Sequence, residues 1–256
     1  MNPSPEITPE TTLVIITGIT AGIGEAIGRT LAESGFAIYG IARNAEKLRA
    51  LDVPMVGTEV RDLSLEADVR ACLSGLDLTP WSRAVLINNA GSLDPVGRFD
   101  SIDLSVTNRT MMLNGLAPIL VSQTFYQAVL AAPTCTGRII QITSGAALRP
   151  IAGWTSYCMS KAAMWMGTQV MAEEMDVTRC QVMALSPGVV ATAMQTQIRG
   201  ETEASMPGVA WFRQIAAEGK LADPSVPALR IRAMLSDDAT GRKAFPHGES
   251  VDLFAA

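Results

Sequence analysis

Short apolar runs that alternate with stretches of helical period constrain this chain more than any other feature. Runs at residues 12–17, 36–42, 55–60, 84–87, 138–143, 180–186 and 250–253 are rich in aliphatic and β-branched side chains, which predicts strands. Most are nearly continuous rather than alternating, as strands covered by helices on both faces should be. Helical period fills residues 23–34, 64–74, 105–131, 154–176 and 225–235 between them. Repeated strand-helix units predict an α/β, doubly wound, seven-stranded and mainly parallel sheet with helices on both faces. No Pro/Gly/Ser-rich linker and no internal repeat divides the 256 residues, so residues 1–256 are expected to form one domain.

Residues 189–221 break the rhythm. They carry no strand pattern, yet hold Met194, Ile198, Met206, Trp211, Phe212 and Ile215. So long a connection inside a compact domain is usually functional. The expectation is a pair of short helices packed on the core, compatible with a substrate lid.

Composition removes several classes of function. A chain of this length buries roughly three quarters of its unfolded surface, so staples are not needed for a core. Net charge is −5, and no basic stripe suits a phosphate backbone, so nucleic acid is not an expected partner. Cys72, Cys135, Cys158 and Cys180 are far apart with no C-x-x-C, which argues for reduced thiols in a cytoplasm. Residues 1–10 show no signal-peptide pattern, and no apolar run approaches a membrane span. His247 is the only histidine; no metal site is expected, and the Pro246-His247-Gly248 turn predicts a plain surface role for it.

Thr17-Gly18-Ile19-Thr20-Ala21-Gly22-Ile23-Gly24 leaves the first apolar run and opens an amphipathic stretch. Gly18 suits positive φ at the strand exit, Gly22 lets backbone approach a pyrophosphate without a Cβ, and Gly24 permits close helix packing. The helix N-terminus adds free N–H groups for phosphates. Together these predict a Rossmann-type dinucleotide site. The second run and its exit, residues 36–44, contain no Asp or Glu for a ribose 2′-hydroxyl, and Arg43 stands there instead. A guanidinium pairs with a 2′-phosphate, so NADP(H) is the expected cofactor. Asp62, before Leu63, either accepts from an adenine amino group or caps the next helix.

Tyr157 and Lys161 lie four residues apart, on one helix face. An ammonium near a phenol predicts a lowered phenol pKa, suited to proton transfer. Ser144, just past the preceding strand, places a hydroxyl toward the same carbonyl. Trp154, three residues before Tyr157, shares its face and is a candidate pocket wall, whereas Cys158 is expected to point elsewhere. Met164, Met171 and Met175 read as core or subunit contacts.

These residues resemble the short-chain dehydrogenases/reductases in their single-domain form, over essentially the whole chain. Thr17 to Gly24 is similar to the family's T-G-x-x-x-G-I-G, and Asn88-Asn89-Ala90-Gly91 to its N-N-A-G. Asn114 resembles the helix asparagine, Ser144, Tyr157 and Lys161 the catalytic set, and Pro187-Gly188 with Thr192 the P-G-x-x-x-T. Residues 153–158 and 187–199 look most like the sepiapterin and benzil reductase branch.

The resemblance implies that Gly18, Thr20, Gly22, Ile23, Gly24, Arg43, Asp62, Leu63, Asn89, Ala90, Gly91, Tyr157, Lys161, Pro187, Gly188, Val190, Thr192 and Met194 bind the cofactor. Pro118, four residues after Asn114 in one helical pattern, frees the carbonyl at Asn114 and predicts a kink there with room for a water; the resemblance implies that this water, Lys161 and the cofactor ribose relay protons to Tyr157. The alternative is that Asn114 is only a buried kink residue. The expected activity is NADPH-dependent reduction of a small-molecule carbonyl, with an apolar or aromatic α-dicarbonyl as substrate class. A nucleotide sensor without turnover is the rival. Association into a homodimer or homotetramer through the two long helices is also implied.

Overall fold

The computed structural model describes residue 8, residues 11–236 and residues 246–252. Seven strands form one sheet in the order β3-β2-β1-β4-β5-β6-β7, and every adjacent pair is parallel. They are β1 (Thr12–Thr17), β2 (Ala37–Ala42), β3 (Gly57–Val60), β4 (Arg83–Asn88), β5 (Thr136–Ile142), β6 (Cys180–Ser186) and β7 (Ser250–Asp252). Strand order reverses between β1 and β4, and a crevice at the carboxyl ends of such strands is where α/β sheets bind ligands.

Helices α1 (Gly22–Ala32), α2 (Ala45–Ala50) and α9 (Ser225–Ser236) cover one face, burying Ile27, Leu31, Leu48 and Ile231 against Val14, Ile16 and Val85. The other face packs α3 (Glu66–Ala71), α5 (Ala117–Ala131) and α6 (Thr155–Glu174) through Val69, Val121, Phe125, Val129 and Met171 onto Leu13, Ile15 and Leu86. Helix α4 (Leu104–Met111) precedes α5. Both faces of β1 and β4 are therefore dry, which accounts for their uninterrupted apolar sequences. Met164 is fully buried, and Met171 and Met175 pack against the second face.

Several boundaries differ from expectation for local reasons. The third strand starts at Gly57 rather than residue 55, because Val56 makes a single bond to Ile38 and stands exposed at the sheet edge. The helix expected over 64–74 shrinks to α3: Asp62 and Ser64 form a turn before it, and Leu73 takes a φ of 60° after it. The long helix over 105–131 is interrupted by a π-helical turn at Met112–Leu116. Pro118, which has no N–H to donate, lies at the start of α5 beyond that turn. Leu253, the last residue expected in the seventh strand, lies outside the described residues.

Residues 189–221 contain α7 (Ala193–Gly200) and α8 (Val209–Ala217). The excursion leaves and rejoins the molecule at one point, where Val190 bridges Ala222. Its apolar side chains build a third cluster of their own, in which Ile198, Met206, Val209, Phe212 and Ile215 meet Leu93, Ala146, Trp154 and Tyr157.

His247 is not a plain surface residue. It is half-buried; its Nδ1 accepts from the Val182 N–H at 3.1 Å and its Nε2–H donates to the Ala172 carbonyl at 3.0 Å. The ring thus ties the segment before β7 to β6 and α6, a contact between residues far apart in sequence. No helix among the described residues is long and apolar enough to cross a membrane.

Candidate active site

The glycine turn after β1 is closed by side chains from the end of β4. Thr17 Oγ1 accepts from the N–H groups of Asn89 and Ala90, each at 3.0 Å. The Asn89 amide donates back to the carbonyls of Thr17 and Gly18 at 3.0 and 3.2 Å. Gly18 has φ 69°, and a Cβ there would stand 2.9 Å from Ala90 Cα. A Cβ on Gly24 would lie 2.4 Å from both Asn89 Nδ2 and the Gly18 carbonyl. These contacts require glycine at both positions. They fix the turn at the sheet's carboxyl edge, with Gly22 facing Thr192 Cγ2, 3.2 Å from where its own Cβ would be. Ile23 and Leu63 turn their side chains toward the two sheet-face cores, leaving their backbone groups for a ligand. Thr20 is half-buried beside them.

Arg43 is exposed just past β2. Asp62, just past β3, accepts from Ser64 N–H at 3.0 Å and Ser64 Oγ at 2.7 Å through Oδ1. Burial pushes this carboxyl up, but the Ser64 bonds and the charges of Arg43 and Arg109 more than offset it. The carboxyl is held below its usual range, so Asp62 meets the exit of β2 as an anion. One of its oxygens is engaged in the Asp62–Ser64 turn, while the N-cap of α3 is Leu65 with no side-chain bond, so Asp62 does not cap that helix. No local sequence pattern marks Arg109, on α4, whose charge reaches Asp62 only through the fold.

Gly91 and Ser92 continue from β4 to Asn114. Asn114 is fully buried; its amide donates to the Ser92 carbonyl at 2.7 Å and to Ser160 Oγ at 3.2 Å, and its Oδ1 accepts from Ser92 N–H at 2.9 Å. Ser160 in turn donates to the Tyr157 carbonyl at 2.8 Å. Asn114 therefore joins the strand β4 exit to α6 through its side chain, on the π turn where its own backbone is widened.

Ser144 caps a short turn, accepting from Ala146 N–H at 3.2 Å, and shares a hydrogen bond with the Tyr157 hydroxyl. Lys161 Nζ lies 5.8 Å from the centroid of the Tyr157 ring and donates to the Ile142 carbonyl at 2.8 Å. Ser144, Tyr157 and Lys161 are thus brought together. The lowered phenol pKa expected from the four-residue spacing is not found. Burial pushes the Tyr157 phenol up to about 12, with the Ser144 hydrogen bond opposing, and pulls the Lys161 ammonium down to about 8. The amine stands beside the ring and is committed to a carbonyl, so desolvation wins over attraction. At neutral pH the phenol is protonated, the state a proton donor needs.

Trp154 packs edge-on to Tyr157 at 5.5 Å and against Phe212 at 5.4 Å between ring centroids. Cys158 turns its sulfur to the Arg149 carbonyl, 3.9 Å away. Past β6, Pro187 and Val190 are buried, Gly188 is exposed with φ 75°, and Met194 packs on the third cluster. Thr192 precedes α7, its side chain making no capping bond. A cavity of about 360 Å³ opens between Gly22 and residues 191–193, Thr196 and Arg199. Glycine at Gly22 and an uncapped helix start beside one cavity fit the diphosphate of a dinucleotide.

The sequence profile of the short chain dehydrogenases matches residues 12–203. The chain belongs to this family. Benzil reductase ((S)-benzoin forming) of Bacillus subtilis is 32% identical over 230 residues, covering 87% of this chain and 93% of that protein. Sepiapterin reductase of Bos taurus is 30% identical over 261 residues, 95% of this chain and 94% of the relative. Among solved structures, the KRED1-Pglu enzyme superposes with a TM-score of 0.77 at 25% identity, covering 94% of this chain and all of that one. Family membership makes the chain an oxidoreductase with a Rossmann-like sheet.

The limbs of kcat/KM report groups of the free enzyme. Lys161 keeps its charge below about pH 8 and loses it above, so kcat/KM for the dinucleotide is expected to fall as pH rises through about 8. Lys161→Met should abolish that limb; an unchanged profile in the variant would assign the limb to another group.

Proposed function

We propose that this protein is an NADPH-dependent carbonyl reductase acting on apolar or aromatic α-dicarbonyl compounds. The observation that carries this is the convergence of the Ser144 and Tyr157 hydroxyls beside a buried lysine, at the edge where the glycine turn and the β4 exit meet. Gly18, Gly22, Gly24, Asn89, Ala90 and Gly91 hold the dinucleotide's backbone side, Arg43 its 2′-phosphate, and Pro187, Gly188, Val190, Thr192 and Met194 its nicotinamide side. Asp62 orders the adenine end with Arg43. When bound, the cofactor supplies a hydride to the carbonyl carbon.

Ser144 and Tyr157 bind the carbonyl oxygen as hydrogen-bond donors. As the C=O π pair moves onto oxygen, Tyr157 gives up its proton to it, and the alcohol is complete. Lys161 favours the resulting phenolate by its charge and binds the ribose. Asn114 positions α6 through Ser160, so that Tyr157 and Lys161 keep their spacing. A protonated phenol at neutral pH suits the reductive direction; the reverse reaction would first need an anion that burial disfavours.

Residues 189–221 serve as a substrate lid. Phe212, Met206 and Val209 share a buried cluster with Tyr157, which is 7% exposed, and a wall of Trp154 and Phe212 favours an apolar substrate. The similarity to benzil and sepiapterin reductases, whose names describe reduction of a diketone and a pterin, points to the same substrate class.

The test is NADPH oxidation with a panel of aliphatic and aryl α-diketones. Turnover with the aryl members is expected; no turnover with any, by protein that demonstrably binds NADPH, would overturn the assignment. Arg43→Ala should weaken NADPH binding by a charge-assisted contact, about 1.5 to 3 kcal/mol, and leave NADH nearly unchanged. Equal losses for both nucleotides would remove Arg43 from the 2′-phosphate.

A further inference from the structure

The cavity between the glycine turn and the first lid helix has a cation in its wall that none of the cofactor contacts above uses. Thr192, Thr196 and Arg199 fall on one face of α7, since residues three and four apart in a helix stack on the same side. All three line the cavity, and Gly22 lines it from the opposite side. Ile198 faces the other way, into the cluster with Trp154 and Tyr157. The helix thus turns an apolar side to the substrate and a polar one to the glycine turn.

Arg199 Nη2 donates to Thr196 Oγ1 at 3.3 Å. Among the described residues no carboxylate forms an ion pair with Arg199, although its side chain is only half-exposed. The helix that carries it is anchored through its C-terminal half. Gln197 Nε2 donates to Asp94 Oδ1 at 2.6 Å, reaching the loop beyond β4, and Arg213 of α8 donates to the Arg199 carbonyl at 3.0 Å. A guanidinium held over a cavity, beside a helix start with an uncapped Thr192, is arranged for an anion with two adjacent charged groups.

We propose that Arg199 binds the diphosphate of the dinucleotide from the lid side, opposite the N–H groups of α1. This rests on the dinucleotide-binding reading above and adds a contact from the lid to it. The lid is then closed in part by the cofactor: the diphosphate joins α1 to α7, so the substrate pocket is completed only when the nucleotide is in place.

The test is calorimetric binding of NADPH, NADH, ADP-ribose and adenosine 2′-monophosphate to the wild type, Arg199→Gln and Arg199→Lys. The expected result is that Arg199→Gln raises the Kd for NADPH, NADH and ADP-ribose by the same factor, at least about tenfold. Adenosine 2′-monophosphate, which lacks the diphosphate, should bind as before, and Arg199→Lys should recover part of the loss. Unchanged Kd values for ADP-ribose in Arg199→Gln would overturn the inference, as would an equal loss for adenosine 2′-monophosphate. If the wild type binds none of the four, the dinucleotide reading falls together with it.

Discussion

Tyr157→Phe is expected to lower kcat for diketone reduction by about 10²- to 10⁴-fold, the usual contribution of a positioned general acid, while NADPH binding stays within about twofold. The variant removes one oxygen from a side chain whose ring is packed by Trp154 and Lys161, so apolar packing is conserved. The Ser144 hydroxyl loses its partner but keeps its bond from Ala146. A loss confined to kcat would place the proton at the phenol. Full turnover in Tyr157→Phe would remove it from the mechanism and return the nucleotide-sensor alternative to consideration. Ser144→Ala provides the companion measurement: a smaller loss is expected, because Tyr157 retains its proton and its own bond to the oxygen.

Gly24→Ala should carry the second large effect, on stability and nucleotide binding together. Its Cβ would be placed 2.4 Å from the Gly18 carbonyl, which is backbone and cannot swing aside, and 2.4 Å from the Asn89 amide that closes the turn. Relief requires the start of α1 to move away from β4. Forced overpacking of this kind typically costs about 1 to 3 kcal/mol, or roughly 2 to 12 °C in Tm for a chain of this size. The displaced turn should also lose its diphosphate contacts, so NADPH and NADH affinity are expected to fall together. Gly200→Ala is the control: nothing lies within 4 Å of its Cβ, and its φ is not positive. Equal Tm and affinity in Gly24→Ala and the wild type would show that the turn does not need its glycine.

The sheet is legible in sequence because β1 and β4 are dry on both faces and β5 and β6 nearly so, which leaves each with a long apolar run. Edge strands are less so: β3 alternates between half-buried and exposed residues, and its start was displaced by the exposed Val56. Helix α2 is not legible by periodicity because six residues carry too little of it, although Asn44 caps it by accepting from Lys47 N–H at 2.8 Å. That capping pair is the signal by which it is found.

At the site, residue types and spacing brought out the glycines, Ser144, Tyr157 and Lys161, since each is set by a local motif. What spacing does not carry is environment. The phenol and the amine are neighbours as expected, but their burial comes from β5 and the lid, and it reverses the sign of the expected shift for tyrosine. Asn114 was recognisable on the helix, whereas its partners Ser92 and Ser160 lie 22 and 46 residues away. Arg109 and Arg199 look like ordinary surface cations in sequence; only the fold places the first near Asp62 and the second over the cavity. For His247 the turn was visible, and the Val182 and Ala172 backbone groups that hold the ring were not.

A crystal structure with NADP⁺ and a non-reducible diketone analogue bound would bear on the mechanism most directly. The expected result has the analogue's oxygen within hydrogen-bond distance of both Ser144 Oγ and the Tyr157 hydroxyl, Lys161 on the nicotinamide ribose, and the diphosphate between Gly22 and α7. A nucleotide seated away from the glycine turn, or an analogue whose oxygen meets neither hydroxyl, would contradict it.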